Sequence, residues 1–554
     1  MFIKLTSSGP RRYAQLVESF RDETGRPRQR TLATLGRVDK PGELDGLINA
    51  LLRATGGTEL ATVPAAAVQF DSALALGDVW ALSQLWRELG FDDLGRVLRR
   101  TRHDIDVLAL LRVMVFHRLC DAGSKLGVLR WLPTVALPDG DAAAVTHQHL
   151  LRTMDVLEAE RDALGAALST LLRPLIDQDL SVVFYDLTTV GVEGHTQLDG
   201  DVRAVGRAKS GLIERQFALS LVQTSEGIPI AHEVHAGNVV ESKTLLPMIR
   251  SLIARYPITR AVLVADRGLL NLDNLEQLIA IKLPSGQPLE YVLAVPAARY
   301  REFAELIEPV QAGHALADSP WIDETRWNQL RLVVAHDPQA AHTRTERRRK
   351  QLADLHQQAE QWAGKLDAQD TGRRFKGRAL SDSGVKARFF HAVQEASLGH
   401  VVETDLHGEL FSYKIREAVL ARLEMLDGKL LVVTNSPEPT STEIIARYKS
   451  LADIERGFHV LKSDIAIGPV YHRLPKRIRA HAAICFMALI LQRVMRMRLK
   501  AAGSTLSPDH ALLALRRVQQ HRIRLADQLV SGISRIDVEQ LQLFADLGVG
   551  KPIA

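Results

Sequence analysis

The chain has 554 residues, 46% of them hydrophobic and 24% charged, the composition of a globular protein with ample material for buried cores. At roughly 150 residues per domain, that length means about three or four units rather than one. Only Cys120 and Cys485 are present, which excludes a disulfide framework or a cysteine zinc site within one chain and fits a reducing cytoplasm.

The net charge is only +5, and residues 1–40 alone carry that surplus, with nine Lys and Arg against four acids. Arg11, Arg12, Arg28 and Arg30 belong to this group. Within it, "RRYAQLVESFRDETGRPRQRTLATLG" alternates as two strands about a turn at Thr24–Pro27, so residues 1–65 read as a basic β-hairpin arm. The opening "MFIKLTSSGPRRY" has no long apolar core of the kind a signal peptide carries. Residues 66–177 are rich in Leu and Ala with helical periodicity, and "DIDVLALLRVMVFHRLC" predicts a helix with Asp104 as its cap.

The texture changes over 178–299. "LSVVFYDLTTV" predicts a strand, and "RQFALSLVQTSEGIPIAHEVHAGN" two strands about Ser225–Gly227. "SKTLLPMIRSLIARY" predicts an amphipathic helix, "RAVLVADRGLLN" a strand ending at Asp266, "NLDNLEQLIAIKL" a helix and "YVLAVP" a fifth strand. Three strands followed by alternating helix and strand indicate a mixed α/β sheet. Residues 300–426 read as a β-rich insertion, with one polar helix in "AHTRTERRRKQLADLHQQAEQWAGKL" and strands in "RFFHAVQEASLGHVVETDLHGELFSYKI". The α/β texture resumes over 427–500. There "TSTEIIARYKSLADIERGFHVLKSD" predicts one helix capped at Ser441 or Thr442. The run "AAICFMALIL" is too short to span a bilayer and predicts a buried helix. Residues 501–554 read as a helical tail.

Asp186 ends the first core strand and Asp266 the fourth. A carboxylate at a buried strand end is costly unless something positive or hydrogen-bonding meets it. Two carboxylates brought together repel unless one takes a proton or a cation lies between them. Hard oxygen donors of this kind suit Mg²⁺ or Mn²⁺. Farther on, Tyr448, Glu455 and Lys462 are spaced by sevens, close to two helical turns, so on one helix they share a face. An acid in that stripe is a candidate metal ligand, and the Lys and Tyr could hold a phosphate beside it. An aspartyl-nucleophile phosphatase needs a second Asp two residues after the first, and Thr188 stands there.

With these motifs the chain resembles the DDE transposases of bacterial insertion sequences, in the subgroup with a large insertion before the last catalytic helix. "FYDLTTVGVEG" resembles the first-Asp strand and "VLVADRGLLN" the second. "YKSLADIERGFHVLK" resembles the Tyr-x2-Arg-x3-Glu-x6-Lys signature through Tyr448, Glu455 and Lys462. The Arg position is filled by Leu451, a departure that leaves Lys449 or Arg456 to supply that phosphate contact. The resemblance implies a ribonuclease H-like five-stranded sheet flanked by helices, in a bacterial cytoplasmic, nucleoid-associated protein. It implies two Mg²⁺ or Mn²⁺ ions held by Asp186, Asp266 and Glu455, with in-line phosphodiester hydrolysis and strand transfer between them. It also implies double-stranded DNA as partner (terminal inverted repeats and target) and at least a dimer on paired ends. Two alternatives stay open: a ribonuclease H-like nuclease without strand transfer, and a DNA-binding regulator without catalysis. Further candidate DNA contacts are Arg344–Lys350, Arg373–Arg378 and "HRLPKRIRAH", in which His472 and His481 read as structural or phosphate contacts.

Overall fold

The computed structural model describes the chain except residues 41, 43, 55–67, 100–104, 139–144, 176–180, 195–197, 199, 209–210, 241–242, 257–260, 266–271, 315–316, 374–378, 451, 526–527 and 554. At 50, 53–54, 68, 181–183, 261, 265, 272–274 and 452–455 the backbone alone is described. The chain divides into two units, Met1–Ala73 with Gln520–Ile533, and Leu74–Gln519 with Ser534–Ile553.

In the first unit, β1 (Phe2–Ser8), β2 (Arg11–Arg21) and β3 (Pro27–Arg37) form one antiparallel sheet. The expected two-stranded hairpin thus gains a third strand. Its turn falls where the sequence places it: Asp22 Oδ1 accepts from the backbone of Thr24 and Arg26, and Gly25 takes φ +79°. The unit also holds α1 (Asp45–Ala54).

The second unit opens with β4 (Val68–Ala75), which begins in the first unit. Helices α2 (Gly77–Glu88), α3 (Gly95–Leu98), α4 (Val107–Cys120), α5 (Lys125–Trp131), α6 (His147–Ala159) and α7 (Arg161–Leu172) follow. Asp106 caps α4 by accepting from Ala109 N, while Asp104, the expected cap, lies outside the described residues.

Strands β5 (Ser181–Gly191), β6 (Ala204–Arg207), β7 (Ile213–Thr224) and β8 (Pro229–Ala236) come next. They are followed by α8 (Leu245–Arg255), β9 (Ala261–Ala265), α9 (Leu272–Ile279) and β10 (Glu290–Ala294). After α10 (Ala304–Gly313), a hairpin of β11 (Trp321–Trp327) and β12 (Leu330–His336) turns at Asn328, φ +56°.

Then come α11 (Pro338–Asp370), α12 (Asp382–Glu395), β13 (Val402–Thr404), β14 (Tyr413–Ile415), α13 (Glu417–Leu426) and β15 (Lys429–Thr434). The central sheet runs β11-β12-β15-β10-β9-β5-β7-β6, with β8 also on β7, nine strands where the sequence reading has five. β5 is antiparallel to β7 and parallel to β9, which is parallel to β10.

Two expectations about the insertion are corrected. It is mainly helical rather than β-rich, and "RFFHAVQE" lies in α12, whose Phe389 and Val393 bury against Leu352, Leu355 and Ala359 of α11. The β11–β12 hairpin joins the central sheet through β15. Arg348 of α11 clamps Asp427 through two bonds of 2.6 and 2.8 Å, which ties the long helix to the start of β15.

The chain continues through α14 (Ser441–Lys449), α15 (Ala452–Lys462), α16 (Pro475–Ala501) and α17 (Pro508–Arg516). The tail expected to be helical holds a hairpin, β16 (Gln519–Leu525) and β17 (Gln528–Ile533), before α18 (Val538–Asp546). α16 is long and apolar enough to cross a membrane, yet 89% of its apolar window is buried inside the fold, as a core helix would be.

Candidate active site

Asp186 does not end its strand as expected: it is the sixth of the eleven residues of β5, between buried Tyr185 and Leu187, because pairing with β7 carries the strand on to Gly191. Side chains alternate along a strand, so Phe184, Asp186 and Thr188 share one face, and their neighbours on β7 are Gln223, Leu221 and Leu219. Tyr185 points to the other face, where its hydroxyl lies 2.5 Å from Thr244 Oγ1 at the start of α8. The half-buried Asp186 accepts a 2.7 Å bond from Leu187 N through Oδ1.

The Asp186 face is covered by α15. Gly457 of that helix sits against the buried amide of Gln223, and a Cβ there would overlap Gln223 Nε2. The sheet register brings a second position to the same level. Tyr185 pairs with Ala265, the last residue of β9, in parallel. Asp266 is the next residue in the sequence and lies outside the described residues. Glu455 lies within α15, its backbone alone described. Among the described residues no three His, Cys, Asp or Glu side chains converge as a metal site.

The single helix expected to carry Tyr448, Glu455 and Lys462 is two helices. α14 ends at Lys449, Ser450 is its C-cap, and α15 starts at Ala452. Tyr448 and Lys449 therefore belong to α14, and Arg456 and Lys462 to α15. The cap of α14 is Thr440 rather than Ser441 or Thr442, in a reciprocal box: Thr440 Oγ1 accepts from Glu443 N, and Glu443 accepts from Thr440 N. Lys462 is exposed and lines a cleft of about 290 Å³ with Thr189, Val190 and Gly191, so it stands beside the strand that carries Asp186.

The arm's arginines are exposed but not idle. Arg28 pairs with Asp22 at 3.1 Å and Arg30 with Glu18 at 2.7 Å, while Arg12 N bonds Asp39. Arg11 and Arg12 are both exposed. Pairs this exposed are weak and exchange readily for a phosphate. Two of the proposed cluster cations are structural: Arg348 binds Asp427, and Arg349 binds Glu424. Lys476 and Arg477 both reach Asp155.

The sequence reading missed Gln223, whose two amide atoms have no partner among the described residues. It also missed the cations of α4 and α5, Arg118 and Lys125, which lie buried beside the segment that follows α15. A glycine in the middle of an otherwise regular helix was the available signal for the first; for the second, the sequence carried none.

Two family models match the chain. Residues 3–62 match the N-terminal domain of the IS1634 family transposases. Residues 177–491, more than half the chain, match the transposase DDE domain. No curated protein matches the chain.

Proposed function

The chain belongs to the DDE-domain transposases of insertion sequences, and from that premise we propose that it cuts DNA at terminal inverted repeats and joins the ends to target DNA. The observation that supports this reading is that α15 packs on the sheet face of Asp186. Asp186 shares that face with α15, the helix of Glu455, and the register of β5 on β9 pairs the residues that precede Asp186 and Asp266.

The order β8-β7-β5-β9-β10, with two antiparallel pairs and then two parallel ones, supports a ribonuclease H-like core inside the wider sheet. A carboxylate donor set fits Mg²⁺ or Mn²⁺, and Asp186, Asp266 and Glu455 are the residues to hold two such ions. Bound there, the ions would lower the barrier to in-line displacement at a phosphodiester.

The remaining work falls to the chain itself. Lys462 and Tyr448 hold the scissile-strand phosphate, and Arg456 or Lys449 supplies the contact that Leu451 cannot. The first unit, with Arg11, Arg12, Arg28 and Arg30, grips duplex backbone. Two copies act on paired ends.

The test uses purified protein, a duplex carrying the repeats that flank the coding sequence, target DNA and Mg²⁺. Wild type should yield cut and joined products. Asp186→Asn should yield neither and still bind the ends within a few-fold of wild type. Cleavage by Asp186→Asn at the wild-type rate would remove this assignment, and cutting without joining would make the protein a nuclease.

A further inference from the structure

A cavity of about 700 Å³ lies within the second unit, among α4, the start of α5, residues 466–474 and α16. Arg118, Ser124, Lys125, His472, Arg473 and His481 line it, and among the described residues no carboxylate does. Arg477 also reaches it but is held by Asp155 in two bonds of 2.9 and 2.8 Å.

Arg118 and Lys125 are 5% and 4% exposed, and neither has a carboxylate partner among the described residues. Arg118 donates Nη1 to the carbonyls of Ile465 and Ala466 at 3.3 and 3.1 Å, and its Nε has no partner among the described residues.

His481 Nε2 donates to Ile467 O at 2.9 Å, which leaves Nδ1 to accept from Lys125 Nζ at 3.4 Å. Lys125 therefore keeps donors to spare. Burial, and then the Arg118 charge, pushes Lys125 down to about 7. Burial, with Lys125 next, pushes His472 down to about 3. Two buried like charges with no carboxylate opposite them among the described residues are costly, and an anion between them removes the cost.

We propose that this cavity is a phosphate site, and that its occupant is a backbone phosphate of bound DNA. Asp186 does not line the cavity. Its mouth is wide, with Tyr471 67% exposed and Arg473 exposed, as a polymer rather than an enclosed small anion requires. Its wall is continuous with the catalytic strand: Val470 N donates to Gly191 O at 3.0 Å, and Glu193 N to Val470 O at 2.9 Å. Six residues of strand separate Asp186 from Val192, on the order of 20 Å at a strand's rise, which is about six base pairs along a duplex. One duplex can reach both places.

This inference rests on the DNA reading above, so its test has two arms. In the first, DNA affinity is measured over a salt series for wild type, Lys125→Met and Arg473→Gln. Losing one phosphate contact should flatten the log–log salt slope by about 0.9 and weaken binding on the order of tenfold at 0.05 M salt. In the second, melting is compared in inorganic phosphate and in chloride at equal ionic strength.

A flattened DNA slope in either variant identifies backbone phosphate as the occupant. An unchanged slope, with phosphate stabilising wild type but neither variant, keeps the phosphate site and replaces DNA by a free anion as its source. Arg473 is exposed, so Arg473→Gln decides the matter if Lys125→Met does not fold. Unchanged slopes together with no phosphate stabilisation overturn the proposal. Failure of wild type to bind DNA would sink the functional reading instead, and the phosphate arm would still decide the cavity.

Discussion

Gly457 offers a sharp test of whether the packing of α15 on the sheet sets the geometry of the site. Glycine inside a helix costs about 1 kcal/mol relative to alanine, so Gly457→Ala should stabilise α15 in isolation. In the protein, the new Cβ would overlap Gln223 Nε2 and stand 3.2 Å from both Cδ and Oε1 of that side chain. Gln223 is fully buried, and Phe184 lies opposite it on β5. The amide has little room to yield, and α15 must retreat by about 1 Å.

Overpacking of this kind costs about 1–3 kcal/mol. Set against the helix gain, the net loss is about 0–2 kcal/mol, and the variant folds. The activity loss should be larger. A displacement of about 1 Å of the helix that carries Glu455, relative to Asp186, costs on the order of 100-fold in rate.

Single-turnover cleavage of end DNA, run beside guanidinium unfolding, separates the two effects. Gln223→Ala makes room, so the double variant should recover to within a few-fold of Gln223→Ala alone. Gly457→Ala cleaving within about twofold of wild type would refute the reasoning, as would a double variant that folds yet stays as slow as Gly457→Ala.

Other outcomes follow from the buried charges. Burial holds His117 and His472 down to about 3 and His232 to about 4, so the unfolded chain takes up protons first as pH falls below the ordinary histidine value. Stability should therefore drop between pH 7 and 5, by about 2 kcal/mol per histidine at most; a melting temperature that holds or rises over that range would contradict the burial argument. Arg348→Met leaves Asp427 buried without its guanidinium and should cost about 3 kcal/mol in guanidinium unfolding, with Arg348→Met/Asp427→Leu recovering much of it. A single variant within about 0.5 kcal/mol of wild type would show that the pair does not anchor α11.

The sequence made the site's strands legible because their signals are local. An apolar run that ends in Asp and a return to α/β texture after the insertion locate β5, β9 and α15 without any knowledge of packing. The break between α14 and α15 was hidden because Tyr448, Glu455 and Lys462 keep a seven-residue spacing straight through it. α12 read as strand because "RFFHAV" is aromatic and β-branched, whereas the burial of Phe389 against α11 decides its form.

The β16–β17 hairpin did carry a signal, since "HRIRL" alternates strictly and is followed by a short polar turn. The cavity of Arg118, Lys125 and His481 could not be read, because its lining comes from two stretches of chain some 350 residues apart.

The central claim is that Asp186, Asp266 and Glu455 form one divalent-cation site. Its most direct test counts Mn²⁺ bound to the protein in complex with pre-cut end DNA, by electron paramagnetic resonance. Asp186→Asn, Asp266→Asn and Glu455→Gln are measured beside wild type. The account predicts two ions in wild type and fewer in each variant, with the DNA still bound. An unchanged Mn²⁺ count in all three variants would contradict it.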